Sequence, residues 1–565
     1  MSRHLESIAV MGMSAVLVAL MLSYLGYDLR DFSRVYVASR NADTRFNAWT
    51  IEQAIDNLRF HRDDLGFANI FYGDSEPFAY TIAPYGIAVV TLPIYVISGQ
   101  ALIFTYNLYF VFTYIFTAWA MFLIVRYVTH APFAVALPIS LMVAFGQFRQ
   151  VHLMHIETLS MAFPLLALYC LHRLFDEARI RWAIGLGLAF WLTLITSGNL
   201  GMAFVTIAAV LLFGLVWWHR DFLTRRRILL FALAGLLSLT LMWPFIRFRF
   251  ANPVFAQGYP LGEILAYTGT PLGWLRGDSL VYQSLTGTRG EDTLFLGVTP
   301  IILAALGWRI RRKAGNTATD GVPVATFSAY QIIILYTVVI AVGYIFTLGP
   351  AIDLGNGTLI PLPYGLIVHL PGYSAIRVTA RFILLVIFGT AILGAYGLTA
   401  LLEQTPRLRH LLLAVVWIAL FIELTPFPYA YDDNGSILSA RLMSPAPSTF
   451  DRSAYQWLAQ QPYPTPVFEY PADNRGLYDY VTAQSSHHQP ILDGKGSYLP
   501  EWSRFTAPPY FPGEAGLNFL HERHIRYVLV HNELLPAIEQ LWVHTFLQDH
   551  ARFVNTFGNV EVWEL

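Results

Sequence analysis

Charge is what this sequence has least of. Of its 565 residues only 13% are Asp, Glu, Lys or Arg, against roughly 25% in an average soluble domain. The net charge of −1 says nothing about nucleic acid, and with no basic tract to point to one no nucleic-acid partner is expected. There is one cysteine, Cys170, inside an apolar run. That excludes a disulfide framework and a cysteine metal centre, and reads as a packed core thiol. Also absent are a Walker A loop, a GxSxG nucleophile elbow, an HExxH zinc motif and the internal repeat that marks many transporters. The leading MSRHLES precedes twenty apolar residues with no small-residue cleavage pattern, so the first helix is expected to stay on the chain.

Apolar sequence fills the space that charge leaves, at 55% of residues. Eleven apolar runs recur from Ile8–Tyr27 to Leu411–Leu424. Most approach the ~20 residues a spanning helix needs. The expected fold is therefore a polytopic α-helical membrane protein. Tyr80–Ser98 is a twelfth candidate, but Pro84 and Pro93 make it either a span or a juxtamembrane or re-entrant piece. Short basic loops at 172–181, 218–227, 308–315 and 408–410 are assigned to the cytoplasm by the positive-inside rule. Longer connections at 27–78, 148–157, 249–293 and 349–375 then face outward, and the C-terminus with them. An internal start with an external end favours about eleven to thirteen crossings.

Near residue 428 the composition changes. PVFEYPA, RYVLVHN and NVEVWEL are short β-branched and aromatic runs of strand type, and 446–461 and AIEQLWVHTFLQ read as helices. The expected division is a membrane domain over 1–428, with its first external loop at 27–78, and an extracytoplasmic α/β domain over 429–565. GNTATDGVP at 315–323 reads as a cytoplasmic linker.

Charged groups near bilayer depth are costly and so informative. Four clusters lie on the outward side. NADTRFNAWT carries Asp43 and Arg45 and continues to Glu52; Asp43 is either an N-cap with Trp49 as an interfacial anchor, or a general base. FRQVHLMHIE carries Arg149, His152, His155 and Glu157. Its two histidines and carboxylate suit either a divalent metal such as Mg or Mn, or the lining of a phosphate or sugar cavity. TRGEDTLFLG carries Arg289, Glu291 and Asp292 just before a membrane helix, where helix-start electrostatics competes with a site role. LPGYSAIRVTARF carries Arg377 and Arg381, suited to phosphate recognition or to lipid-headgroup anchoring.

Together these stretches resemble the GT-C superfamily of polyprenyl-phosphate-dependent glycosyltransferases, and more closely a broad bacterial group of multi-pass membrane proteins within or near it. The resemblance rests on NADTRFNAW, NIFYGDSEP, FGQFRQVHLMHIE, GEDTLFLG, LPGYSAIRVTARF, YQWLAQQ and IRYVLVH, so it covers nearly the whole chain. Ala42 stands where Gly is usual before the Asp, FYGD replaces a Pro, and Gln147 stands where Pro is frequent. The resemblance implies inverting transfer of a sugar from a polyprenyl-phosphate donor to a glycan, lipid or protein acceptor, in a bacterial cytoplasmic (inner) membrane. Asp43 would be the base. Arg149, His152, His155, Arg377 and Arg381 would meet the donor's phosphate and sugar, with Glu52, Asp74, Glu76, Glu157 and Glu291 as accessory carboxylates. A lipid or saccharide transporter, or a non-catalytic accessory protein of envelope polysaccharide assembly, is the alternative on the same scaffold.

Overall fold

The computed structural model describes residues 3–37, 42–219, 222, 224–251, 258–286, 290–314, 326–354, 358–431, 437–440, 453–473, 475–497 and 499–565. Arg289, the expected linker 315–323 and the start of the expected helix 446–461 lie outside them. The described chain is mostly helical, with a small sheet near its C-terminal end. Among the described residues, eight helices are long and apolar enough to cross a membrane. Three shorter apolar helices, Tyr85–Ile97, Ile180–Thr196 and Val298–Arg309, bring the apolar helices to eleven. Tyr85–Ile97 has Pro93 inside it and 13 residues. At ~1.5 Å per residue that is ~20 Å, short of a ~30 Å hydrocarbon core, so its length fits a juxtamembrane or re-entrant piece.

The chain forms two compact units. The first comprises 1–32, 106–243 and 257–443. Its central helix is Ile383–Gln404, buried on nearly every side. The apolar stretch of Thr379–Gln404 is 83% buried, whereas that of Arg225–Phe250 is 11% buried and turns Leu236, Leu239 and Trp243 outward. Helices in lipid gain little from hydrophobic burial against each other and associate through close backbone packing. Glycines supply that closeness here. A Cβ on Gly307, in the helix Val298–Ala314, would stand 1.9 Å from the Leu393 carbonyl oxygen. One on Gly397 would stand 2.0 Å from the Leu303 carbonyl oxygen.

The second unit comprises 33–105, 244–256 and 444–565, so it joins the first external loop of the sequence to its last hundred residues. Its four-stranded sheet runs Val467–Tyr470, Tyr527–His531, Val560–Glu564, Arg552–Phe557. The first pair is parallel, with Phe468 opposite Val528, and the other pairings are antiparallel. The two parallel strands are buried at every residue, as expected of strands covered on both faces. Phe468, Leu520, Val528, Val530, Leu547 and Trp563 are among the core residues. The helices Leu477–His487 and Glu514–Glu522 lie in the connection between the parallel strands. The helix Ala42–Phe60 packs on Leu477–His487, and Trp49 Nε1 donates to Gln484 Oε1 at 3.0 Å. At 2% exposure Trp49 is a core residue, not an interfacial anchor.

Asp493 lies buried in this unit, its Oδ1 accepting from Thr506 Oγ1 at 3.0 Å, while Oδ2 has no hydrogen-bond partner among the described residues. Burial, with Glu469 adding to it, pushes its pKa up to about 7. The fold thus prefers the neutral acid. Stability from this group is full below the unfolded value near 3.8 and falls as pH rises to about 7.

Two outcomes follow from packing and from this buried acid. Gly307→Val should force the two helices apart and cost ~1–3 kcal/mol, read as a lower melting temperature in detergent. Asp493→Asn should melt above the wild type at pH 8 and alongside it at pH 4, which a pair of pH-dependent melting curves will show.

Candidate active site

Three of the four charged clusters converge in the first unit on one carboxylate, Glu291. Arg381 Nη2 donates to Glu291 Oε1 at 2.6 Å and Arg381 Nε to the same oxygen at 3.2 Å. His152 Nε2 meets Glu291 Oε2 at 2.9 Å. Arg381 Nη1 donates to Thr158 Oγ1 at 2.9 Å and pairs with Glu157 Oε1 at 3.5 Å. Segments that the sequence separates by more than 200 residues are thereby tied together. The side chains of Arg381, Glu157 and His152 are 9%, 5% and 2% exposed, too buried for Arg381 to anchor a lipid headgroup.

Local chain geometry explains each placement. The helix Gln147–Val151 stops at His152 and a new turn starts at Ile156, so the histidines are not neighbours on a helix. Their rings nonetheless lie 5.6 Å apart, because His155 N–H donates to the His152 carbonyl at 2.9 Å. His152 Nδ1 lies 2.7 Å from the Phe148 carbonyl, which can only accept. That fixes a proton on Nδ1 and turns Nε2 to Glu291. Burial alone would raise the Glu291 pKa, but the Arg381 guanidinium and His152 outweigh it and hold the carboxyl well below its usual range. Burial, with Arg381 nearby, pushes His155 well below the usual imidazole value and so keeps it neutral.

Glu291 and Asp292 do not serve the start of the following helix. They form a separate turn, Gly290–Asp292, and Asp292 accepts from Thr270 N at 2.6 Å and pairs with Arg276. The helix start is held instead by Glu423, whose Oε1 accepts from Thr299 N at 3.0 Å and Thr299 Oγ1 at 2.9 Å.

Ligand atoms of His152, His155 and Glu291 lie within 4.8 Å of one another, close enough to share one ion. Two imidazoles and a carboxylate suit Mn better than Mg, which prefers an all-oxygen shell. Such an ion would replace the proton between His152 and Glu291.

Arg149 is committed elsewhere. It is 1% exposed, donates to the Leu159 carbonyl at 2.6 Å and Thr113 Oγ1 at 3.0 Å, and stacks 4.2 Å over Tyr114. Arg377 precedes the turn Thr379–Phe382, and its side chain is 32% exposed. It pairs with Glu263 at 3.1 Å and lies over the rings of Tyr267 and Tyr259. It is the arginine of the three with reach for a ligand. In the same unit an apolar cavity of about 550 Å³ lies beside Gln150, lined by Met21, Pro138, Phe145, Trp417 and Phe421.

Asp43 belongs to the second unit. It sits in the first turn of Ala42–Phe60 and accepts from Tyr478 Oη at 2.9 Å. Arg45 beside it pairs with Asp479. Tyr478 also carries Lys495 over its ring at 4.7 Å. Of the accessory carboxylates in this unit, Asp74 is held by Trp502 Nε1 at 2.9 Å and Arg523 at 3.0 Å. Glu76 precedes the turn Pro77–Tyr80, and Glu52 accepts from Tyr95 Oη at 3.0 Å. Thr158, Glu263 and Tyr478 are the partners that sequence reading missed. Thr158 adjoins a named residue and was within reach; Tyr478 lies 435 positions from Asp43 with no local signal.

Removing the shared anion should be costly. Glu291→Gln leaves Arg381 and His152 buried without it and should lower stability by ~3–5 kcal/mol. Arg377→Ala breaks a half-exposed pair and should cost ~1 kcal/mol or less; melting temperatures of the two variants compare them directly.

No protein-family model matches the sequence, and no curated protein does. Among solved structures, the arabinofuranosyltransferase AftD from mycobacteria is similar over 100% of this chain, at 14% identity and a TM-score of 0.52. The chain spans about 40% of the length of AftD. ArnT from Cupriavidus metallidurans, in its apo state, aligns over 98% of both chains at 11% identity, with a TM-score of 0.40. The likeness to AftD covers the whole of this chain, which shares the fold of that solved structure.

Proposed function

We propose that the protein is a membrane glycosyltransferase that moves a sugar from a polyprenyl-phosphate donor to an extracytoplasmic glycan, lipid or protein acceptor, with inversion. The GT-C fold over the entire chain is the observation that carries this reading. Orientation by the basic loops supports a bacterial inner membrane, with the C-terminal strands and helices outside.

In the proposed step the acceptor oxygen attacks the anomeric carbon as its proton passes to the Asp43 carboxylate. The bond from that carbon to the phosphate oxygen breaks, and its electron pair leaves on the polyprenyl phosphate. A single displacement inverts the anomeric centre. Tyr478, donating to Asp43, restricts how the carboxylate turns. Arg377 is the proposed partner of the departing phosphate, since a guanidinium offers it two parallel donors. His152, Glu291 and Arg381 would hold the segment carrying Arg377 in place, while Arg149 fixes the segment carrying His152. A divalent ion on His152, His155 and Glu291 would add a positive charge for the leaving group. The apolar cavity beside Gln150 is the proposed seat of the isoprenoid chain, because its lining is almost wholly hydrocarbon.

Asp43→Asn keeps shape and removes the base. Cells carrying it should insert the protein normally and lose ~10²–10⁴-fold in transfer to the envelope acceptor, measured as labelled sugar incorporation. Undiminished incorporation would remove Asp43 from the mechanism, whereas an envelope left unlabelled even by wild-type cells would favour the transporter or accessory reading.

A further inference from the structure

A second cavity, polar in character, lies within the second unit, and of the residues named for the proposed transfer only Glu52 lines it. It has a volume of about 130 Å³ and sits beside the helices Ala42–Phe60 and Leu477–His487. Glu52, Asp56, His61, Asn69, Ser485 and His488 line it.

Its chemistry is unusual for a gap between packed helices. Glu52 Oε2 is buried without a well-formed hydrogen bond, although the Ser485 hydroxyl stands near the carboxylate, while Oε1 takes the Tyr95 hydroxyl. A buried carboxylate oxygen left unmatched is costly, and a donor arriving from a ligand would satisfy it. Burial raises the pKa of both Glu52 and Asp56, so each is short of solvation. Ser485 offers a hydroxyl, and His61 and His488 offer ring nitrogens, so donors and acceptors alternate around the wall. The apolar component is aromatic: Phe67 stacks on His61 at 4.2 Å, and Phe60 stands 64% exposed at the rim.

Two flat rings beside alternating donors and acceptors are what a sugar ring requires. Its hydroxyls can satisfy carboxylates and imidazoles, and its C–H faces can lie on the phenyl groups. A volume of about 130 Å³ is roughly four times the ~30 Å³ share of one liquid water, room for one such ring. Two carboxylates in so small a space repel phosphate, which excludes the donor. Glu52 follows Asp43 by nine positions on one helix, ~13.5 Å along its axis, so a ring here would not be the reacting one.

We infer that this cavity is a remote acceptor subsite that binds one uncharged sugar residue of a glycan, a reading that rests on the glycosyltransferase function proposed above.

Binding can be measured without transfer, which separates the two readings. The purified full chain in detergent would be titrated calorimetrically with neutral tetrasaccharides of α-arabinan, α-mannan and β-glucan, with no donor present. At least one should bind, and Asp43→Asn should bind it as the wild type does while failing to transfer. Glu52→Gln should weaken that binding at least tenfold. Phe60→Ala, on an exposed side chain that the fold does not need, should weaken it about threefold or more. Binding by none of the three, or equal binding by both variants, overturns the subsite and leaves the transfer reading standing. Binding intact with transfer retained in Asp43→Asn would overturn the assigned base and leave the subsite in place.

Discussion

The first unit depends on a carboxylate that holds an arginine and a histidine from distant parts of the chain. Glu291 lies between Arg381 and His152, each nearly buried. In a helical bundle made of apolar residues, such a group is stable only while all its partners are present. The constraint therefore runs both ways. These contacts fix the segments at 148–158, 290–292 and 381 against each other, while Arg377, four residues before Arg381, stays partly exposed beside Glu263. Arg149 repeats the principle a few residues away, turning a break between two short helices into a rigid corner.

Membrane character was legible because it is written in composition: length, apolarity and the scarcity of charge fix the helices before any contact is known. Three of the charged clusters were also visible, since ionisable residues at the ends of apolar runs need a reason. Their partners were less so. That Arg377 and Arg381 take different carboxylates, Glu263 and Glu291, depends on the chain not being helical at Arg377. Glu423 holding the start of the helix at Val298 is likewise a tertiary fact. Among the C-terminal elements, the strands Val467–Tyr470, Tyr527–His531 and Val560–Glu564 and the helix Ala537–His550 were readable from their apolar patterns. The strand Arg552–Phe557 is mostly exposed, and its signal is correspondingly weak.

Trp49 shows how a local reading can be reasonable and still miss. A tryptophan shortly after a membrane helix is ordinarily an interfacial residue. Here its indole is satisfied by Gln484, and only the sequence four hundred residues later explains it. The same distance hides Tyr478 from Asp43, so the residue most exposed to recognition by motif is the one whose immediate partner was least predictable.

The second unit is assembled from stretches that begin at residue 33 and resume at 444, with more than three hundred residues of chain made between them. During synthesis the helix Ala42–Phe60 is made long before Leu477–His487 exists to cover it. Trp49 and Phe46 must then wait, uncovered, while the intervening helices are threaded into the bilayer. Completion of this unit thus waits for the stretch that begins at 444, and a chain cut short before Tyr478 would carry Asp43 without the hydroxyl that donates to it. The order of synthesis thus decides when Asp43 acquires that partner.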